Sequence, residues 1–328
     1  MRLLVLGGTE FVGRSVVEAA VGRGWEVTVL NRGNKAVPEG VTRVVGDRTA
    51  PGGLDGLAGG EWDFVVDTWS WAPSAVRDSA RALEGRASSY VYVSSRSAYA
   101  WPTPRGANED APVVEASSDD EEYEDYARAK RGGELAAEEV FGDRAVFVRA
   151  GLILGPYENI GRLPWWLTRI AKGGPVLAPG PENLGIQFID ARDLAEWSLD
   201  AAERGLGGPY DMVSPPEHAT MAQILQECVR VTGSDAELRW TPPEPILAAG
   251  VQPWTDLPIW VPPGEDHDSL HRSDVSKVLA SGLRCRPVTE TIEDTWTWLK
   301  SIGGQAPRRP DRPTVGLDPA VEAKLLNR

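Results

Sequence analysis

Tyr126 and Lys130 stand four residues apart in a stretch whose composition favours a helix, so both side chains project from one face. A phenol beside an ammonium is equipped for proton transfer, because the cation stabilises the phenolate and draws its pKa towards the working range. Upstream, the run Tyr90-Val91-Tyr92-Val93 ends in Ser94-Ser95-Arg96-Ser97, which sets hydroxyls at the carboxyl end of a strand-like segment. Ser94 and Ser97 read as caps or turn formers, whereas Ser95 is placed to donate to the oxygen that Tyr126 would protonate. A Tyr/Lys pair at this spacing arises readily by chance, so its setting has to carry the assignment.

That setting starts at the N-terminus. Leu3 to Leu6 is a short apolar run, turned by Gly7-Gly8-Thr9-Glu10-Phe11-Val12-Gly13, and Val12, Val16, Val17 and Ala20 then recur at helical spacing. Gly22 and Gly24 stop the helix, and residues 26–30 form a second strand. A glycine turn between strand and helix lets the backbone approach a pyrophosphate and aims free helix N–H groups at it. Residues 7–13 are therefore expected to hold a dinucleotide, with Glu10 standing where a G-x-x-G-x-x-G pattern has its middle glycine.

The second strand ends Leu30-Asn31-Arg32-Gly33. A carboxylate there takes the ribose 2′-hydroxyl of NAD, and an arginine without one suits the 2′-phosphate of NADP. NADP(H) is thus the preferred cofactor and NAD(H) the alternative, with stacking on adenine the other role open to Arg32. Asp47, after Val44-Val45-Gly46, either accepts from the adenine amino group or caps a helix. Arg48, Thr68 and, on the nicotinamide ribose, Lys130 complete the expected cofactor contacts.

The elements that must position these groups alternate along the chain. Strands at residues 41–45, 63–67, 90–93 and 145–148 are interleaved with helices at 73–83 and about 123–140, a doubly wound α/β pattern with a parallel sheet. After Gly155-Pro156 the texture becomes irregular and rich in proline, glycine and tryptophan. A strand at 186–189 and helices at about 193–203, 221–233, 274–281 and 289–300, with a short strand at 237–240, are the regular elements expected there. The expected organisation is a dinucleotide-binding domain of residues 1–155 plus about 186–212. A smaller substrate-capping region takes about 156–185 and 213–300, and a tail, 301–328, wraps the surface or frays.

Composition narrows the field. A net charge of −14 lacks the basic face that a phosphate backbone demands. No apolar run approaches the ~18 residues of a membrane helix, and a strand-like segment directly after Met1 leaves no expected signal or transit peptide. Two cysteines and three histidines in no cluster point away from disulfides and metals, with the cytoplasm as the expected compartment. The expected partner is a small molecule.

Taken together the motifs resemble the extended and atypical short-chain dehydrogenase/reductases, the superfamily of nucleotide-sugar epimerases and many reductases. Gly-Gly-Thr-Glu-Phe-Val-Gly is similar to the Gly-Gly-Thr-x-Phe-x-Gly opening of its isoflavone-reductase-like and epimerase-like bacterial members. The resemblance runs through the serine strand, Tyr126-x-x-x-Lys130, Arg149-Ala150-Gly151-Leu152-Ile153-Leu154-Gly155-Pro156 and Gln187-Phe188-Ile189-Asp190-Ala191-Arg192-Asp193-Leu194. It continues from Asp274-Val275-Ser276-Lys277 to Trp298, so that it covers roughly residues 1 to 300. The family pattern places its catalytic serine four residues before Tyr99, which again selects Ser95. Nucleotide-sugar members usually carry Asn where this chain has Leu152, and a diphosphate-binding Arg where it has Ile186. Dehydratases follow the catalytic hydroxyl with Asp-Glu, and Arg96-Ser97 stand here.

Thirteen tryptophans against five phenylalanines suit an apolar or aromatic substrate, or else padding of a region with little regular structure. Trp69, Trp71, Trp101, Trp165 and Trp166 are the expected substrate walls, with few polar anchors among them. The acid run at 119–125 reads as a solvated helix start whose field disfavours polyanions. His267 and His271 are expected at the surface, with the pocket as the other possibility. Three functions stay open: an NADP(H)-dependent oxidoreductase on a small apolar carbonyl, an epimerase or isomerase that keeps its cofactor bound, and a non-catalytic NADP-sensing protein. A homodimer is expected through the helices at 73–83 and 123–140, with Val76, Ala80, Leu83, Leu135 and Val140 on their outer faces.

The end of the second strand yields a direct test. NADPH should bind more tightly than NADH, and Arg32→Ala should narrow the gap. Calorimetric titration of both cofactors measures this, and equal affinities in the parent protein contradict the reading.

Overall fold

Glycine at both ends of the first helix sets the first crossover. In the computed structural model, which describes residues 1–121 and 124–327, β1 (Arg2–Leu6), α1 (Phe11–Gly22) and β2 (Glu26–Asn31) follow as the sequence pattern requires. Then come β3 (Thr42–Val45), β4 (Trp62–Asp67), α2 (Pro73–Ala82), β5 (Ala87–Tyr92), α3 (Tyr126–Phe141) and β6 (Ala145–Ala150). The helix start expected at Tyr123 lies outside the described residues, as does Glu122 of the acid run; the described helix begins at Tyr126, capped by the Asp125 carboxylate.

The later elements are β7 (Ile153–Leu154), α4 (Arg162–Ala171), β8 (Pro175–Pro179), β9 (Gly185–Ile186), β10 (Ile189–Asp190), α5 (Ala191–Glu203) and β11 (Gly208–Met212). They are followed by β12 (Ala219–Thr220), α6 (Met221–Thr232), β13 (Glu237–Thr241), α7 (Pro243–Ala248) and α8 (Glu265–His271). The chain closes with α9 (Ser276–Ala280), α10 (Val288–Ser301) and α11 (Pro319–Leu326).

Seven parallel strands form the main sheet in the order β11-β6-β5-β4-β1-β2-β3, the doubly wound fold read from the sequence. Helices α1 and α5 pack on one face and α2 and α3 on the other, which is why β1 and β4 read as continuous apolar runs. Strand order reverses between β1 and β4, so a crevice opens at their carboxyl ends. A separate core, built by α4, α6, α10 and β8 around the fully buried Trp166 and Trp260, forms the cap.

Several expectations need correction. Strand β11 escaped the sequence reading because Pro209 argues against a strand; it is tolerated because β11 is an edge strand, hydrogen-bonded to β6 alone. The strand expected at 186–189 is two short pieces, β9 and β10, which pair with different partners. Val76, Ala80 and Leu83 are completely buried in the protein's own core, because α2 packs its apolar side onto α3 and the sheet, and so supply no outer dimer face. His267 and His271 are buried rather than superficial, and His271 Nδ1 accepts from the Gln187 N–H at 3.1 Å.

Of the two courses expected for the tail, the structure has it wrap the surface, and anchors it there. Arg309 N–H donates to Asn159 O at 3.0 Å, and Gly316 N–H to Thr255 O at 2.9 Å, while α11 docks on β8. Glu322 secures that docking by accepting from Leu177 N at 3.1 Å and from Arg169 at 2.7 Å.

At the carboxyl end of β4 the Asp67 carboxylate is fully buried and takes Arg48 in a bidentate pair at 2.6 and 2.7 Å. Tyr90 Oη donates to the same carboxylate at 2.6 Å, and burial beside this anion pushes the phenol pKa well up. Arg48→Met should therefore cost about 3–5 kcal/mol of folding stability, because it strands a buried carboxylate. Urea unfolding measures this, and a loss under about 1 kcal/mol contradicts the account.

Candidate functional site

The crevice between β1 and β4 opens into a cleft of about 1400 Å³ that runs from the glycine turn to the cap. Gly7 has φ 120°, and a Cβ there would stand 2.4 Å from Thr68 Oγ1. A Cβ on Gly13 would meet the Gly8 nitrogen at 2.7 Å, so glycine is what lets the first turn of α1 close over the loop. Glu10 turns aside: Lys35 pairs with one of its oxygens and Asn159 Nδ2 donates to the other at 2.8 Å. Thr9, Phe11, Val12 and Thr68 line the cleft with these glycines.

At the end of β2, Asn31 Oδ1 accepts from Gly33 N at 2.8 Å, while its Nδ2 is buried with no partner among the described residues. Arg32 is exposed at the cleft edge. An open glycine cradle, a helix N-terminus and an orphaned donor where β2 ends fit a nicotinamide dinucleotide. Asp47 caps no helix: it closes a turn in the loop after β3, accepting from Thr49 N at 3.0 Å and Thr49 Oγ1 at 2.7 Å, and it lines the cleft. Arg48 lines the cleft, but its guanidinium is committed to Asp67, to Ala75 O at 2.9 Å and to Ser79 Oγ at 2.6 Å. The structure thus gives the Arg48 guanidinium a scaffold role at the cleft wall.

Asp67 also reaches forward, accepting from Trp69 N at 2.9 Å. The turn this fixes presents Trp69 O to Lys130, whose ammonium donates there and to Val93 O at 2.7 Å. Lys130 is 2% exposed, and burial holds its pKa down to about 7. One helical turn earlier, Tyr126 is half-buried in the cleft wall at the start of α3. Ser95 lines the same cleft and caps a one-turn helix, accepting from Ser97 N at 3.1 Å. Ser94 instead donates to Glu134 at 2.7 Å, inside a buried pair in which Arg149 meets both Glu134 oxygens at 2.9 Å.

Beyond Tyr126 the cleft meets the cap. Trp69 and Trp71 stack edge to face with centroids 4.7 Å apart, and Trp101, half exposed, donates to Asp266 at 3.0 Å. Trp165 and Trp166 are absent from this wall. Trp166 is fully buried in the cap core with its indole N–H on Pro258 O at 2.7 Å, and Trp165 lies against Gly316. The expected substrate role of this pair is thereby corrected. Leu152 and Trp254 line the cleft in their stead, with Arg162, Arg309 and Arg312, so the wall carries polar anchors that the sequence reading missed. Arg309 stands 5.2 Å from the Trp71 ring centre and Arg312 4.5 Å from that of Tyr126. The one sequence signal for them is a basic, proline-punctuated segment in an otherwise acidic chain.

Residues 3–212 match the model of the NAD dependent epimerase/dehydratase family. The ceramide reductase of Caulobacter vibrioides (strain NA1000 / CB15N) is 27% identical over 314 residues, covering 91% of this chain and 94% of that protein. Among solved structures, the UDP-glucose 4-epimerase of Thermus thermophilus in complex with NAD is similar with a TM-score of 0.64 at 22% identity, over 92% of this chain and 99% of that one. The Bordetella bronchiseptica enzyme WbmH in complex with NAD+ is similar with a TM-score of 0.68 at 17% identity, over the same shares of 92% and 99%. No helix among the described residues is long and apolar enough to cross a membrane.

The buried lysine has a signature in stability. Its pKa falls from an ordinary 10.5 to about 7 on folding, so between those values the unfolded chain binds more protons at this site and folding gains as pH rises. Relative to Lys130→Met, the cofactor-free parent should gain roughly 2–4 kcal/mol between pH 7 and 9.5. Urea unfolding of both proteins at the two pH values tests this, and a difference independent of pH contradicts it.

Proposed function

This chain belongs to the NAD dependent epimerase/dehydratase family of nicotinamide-dependent enzymes, and we propose that it is an NADP(H)-dependent oxidoreductase that reduces, or reversibly oxidises, a small carbonyl compound with a largely apolar or aromatic body. The observation that carries this reading is the convergence of Tyr126, Lys130 and Ser95 with Trp69, Trp71 and Trp101 on one cleft, beyond a glycine cradle. Arg32 and the unpartnered Asn31 Nδ2 at the end of β2 favour the 2′-phosphate of NADP, since no carboxylate stands there to take a ribose hydroxyl. Gly7, Gly8, Gly13 and the α1 N-terminus would hold the pyrophosphate.

A bound nicotinamide supplies hydride chemistry at the substrate's carbonyl carbon. The protein's part is the proton and the field around it. Tyr126 gives its hydroxyl proton to the carbonyl oxygen, and Ser95 donates a hydrogen bond to the charge that develops there. Lys130, held by Trp69 O and Val93 O, has in its protonated form a third N–H left for the nicotinamide ribose, and that form, partly populated at neutral pH, places positive charge one helical turn from the phenol. The α3 N-terminus begins at Tyr126 and adds to the same field.

Reduction is favoured over isomerisation of a sugar nucleotide by Leu152 on the cleft wall and Ile186 in the cap core, the positions where nucleotide-sugar members usually place Asn and Arg. The ceramide reductase relative also favours a reductive reaction on an apolar compound.

With a panel of aliphatic and aryl ketones, single-turnover NADPH oxidation should fall roughly 10²–10⁴-fold in Tyr126→Phe while NADPH affinity stays within about twofold. Lys130→Ala should weaken both turnover and NADPH binding, and Ser95→Ala should lower turnover mainly. Parental turnover in Tyr126→Phe would show that another group moves the proton.

A further inference from the structure

Three arginines from distant parts of the chain converge at the cap end of the cleft. Arg162 opens α4, and its guanidinium lies 4.8 Å from the Trp254 ring centre. Arg309 and Arg312 arrive on the tail and lie over Trp71 and Tyr126. All three line the cleft that holds Tyr126 and Lys130.

Their counter-charges are few. Asp311 binds Arg309 at 2.6 Å and stands 3.9 Å from Arg312. Glu158, near Arg162, turns its oxygens to the backbone N–H groups of Arg162 at 2.6 Å and Leu163 at 3.2 Å. Burial pushes the Glu158 carboxyl up to about 7, so it offers less than a full charge at neutral pH. The Nε atoms of Arg162 and Arg312 are buried with no hydrogen-bond partner among the described residues. In a chain of net charge −14, three cations gathered around two carboxylates, with buried donors unfilled, are costly unless a further anion completes them.

We propose that Arg162, Arg309 and Arg312 form a carboxylate-binding subsite, so that the substrate is an amphipathic oxo acid: an apolar body along the tryptophans, a carbonyl at Tyr126 and a carboxylate under the tail. This rests on the oxidoreductase reading for the carbonyl but not for the anion. Guanidinium forks match the two oxygens of a carboxylate. A single negative charge fits better than a polyanion, because Glu121 stands on the same rim and three cations already share Asp311 and Glu158. The tail thereby becomes a specificity element: Arg309 is fixed to the loop before α4 by its backbone bond to Asn159 O at 3.0 Å.

The test titrates octanoate and its neutral counterpart octanamide into full-length protein saturated with NADP+, read by tryptophan fluorescence, since Trp71 and Trp254 lie against the arginines. Octanoate should bind at least about tenfold more tightly than octanamide. Arg162→Gln and Arg312→Gln should each remove roughly that factor for octanoate, leaving octanamide and NADPH affinity unchanged. Arg309→Gln, on the tail, carries the test if the Arg162 variant melts early. Equal binding of the two probes, or octanoate binding indifferent to all three arginines, overturns the proposal. Variants that weaken NADPH as much as octanoate also overturn it, by assigning the cluster to cofactor phosphates. The same proteins are assayed for NADPH oxidation with 3-oxooctanoate and its methyl ester. Arginine-dependent octanoate binding without turnover of either supports the subsite and counts against the oxidoreductase reading alone.

Discussion

A single buried carboxylate holds the working end of the sheet in place. Asp67 sits where β4 ends, between β1 and β5, at the point where strand order reverses. An unpaired anion there would be costly enough to threaten a domain whose net stability is of the order of 10 kcal/mol. Arg48, Tyr90 and the Trp69 N–H neutralise it together, and in doing so they bind the turn after β3, strand β5 and the turn after β4 to one another. That turn offers Lys130 its carbonyl, so the position of the ammonium descends from the position of the carboxylate. A network of this kind is all or nothing: each member desolvates the others, and each is satisfied only while all are present.

Local pattern and long-range convergence divided what could be read in advance. The glycine turn, the first βαβ unit and the Tyr126/Lys130 pair were legible because each rests on spacings within one or two turns of chain. The scaffold role of Arg48 was not legible for a physical reason: its neighbourhood in sequence, at a strand end, suits a cofactor ligand, and only the fold brings Asp67 within 2.6 Å. Tryptophan density misled in the same way. Trp165 and Trp166 adjoin in sequence and touch each other at 4.7 Å, yet an α4 that packs its apolar face inward takes Trp166 into the cap core and leaves both off the cleft. The amphipathic run that would have found α4 is broken by Pro164, which a helix tolerates in its first turn.

Ser95 shows how a bland role and a chemical one can coexist. It caps a single turn, and that contact also fixes the orientation of its side chain at the cleft wall. Ser94, one residue earlier, is absorbed into the Glu134–Arg149 pair under α3. Two adjacent hydroxyls just beyond the end of β5 are thus divided, one committed to the scaffold and one left at the cleft wall.

The tail is where local pattern said least about what holds a segment in place. Proline at 307, 310 and 313 and the absence of an apolar stripe describe a segment without secondary structure of its own, which reads as loose. The same prolines restrict the unfolded chain, so ordering the segment across a cleft loses less entropy than it would for a flexible linker. What holds it is supplied from elsewhere: a backbone bond to Asn159, another to Thr255, and α11 clamped to β8 by Glu322. Anchored at both ends, a stiff segment with no core of its own has its side chains free for the space it spans. Arg309 and Arg312 occupy that space over Trp71 and Tyr126, so the last part of the chain shapes a site whose first part is the glycine turn at its beginning.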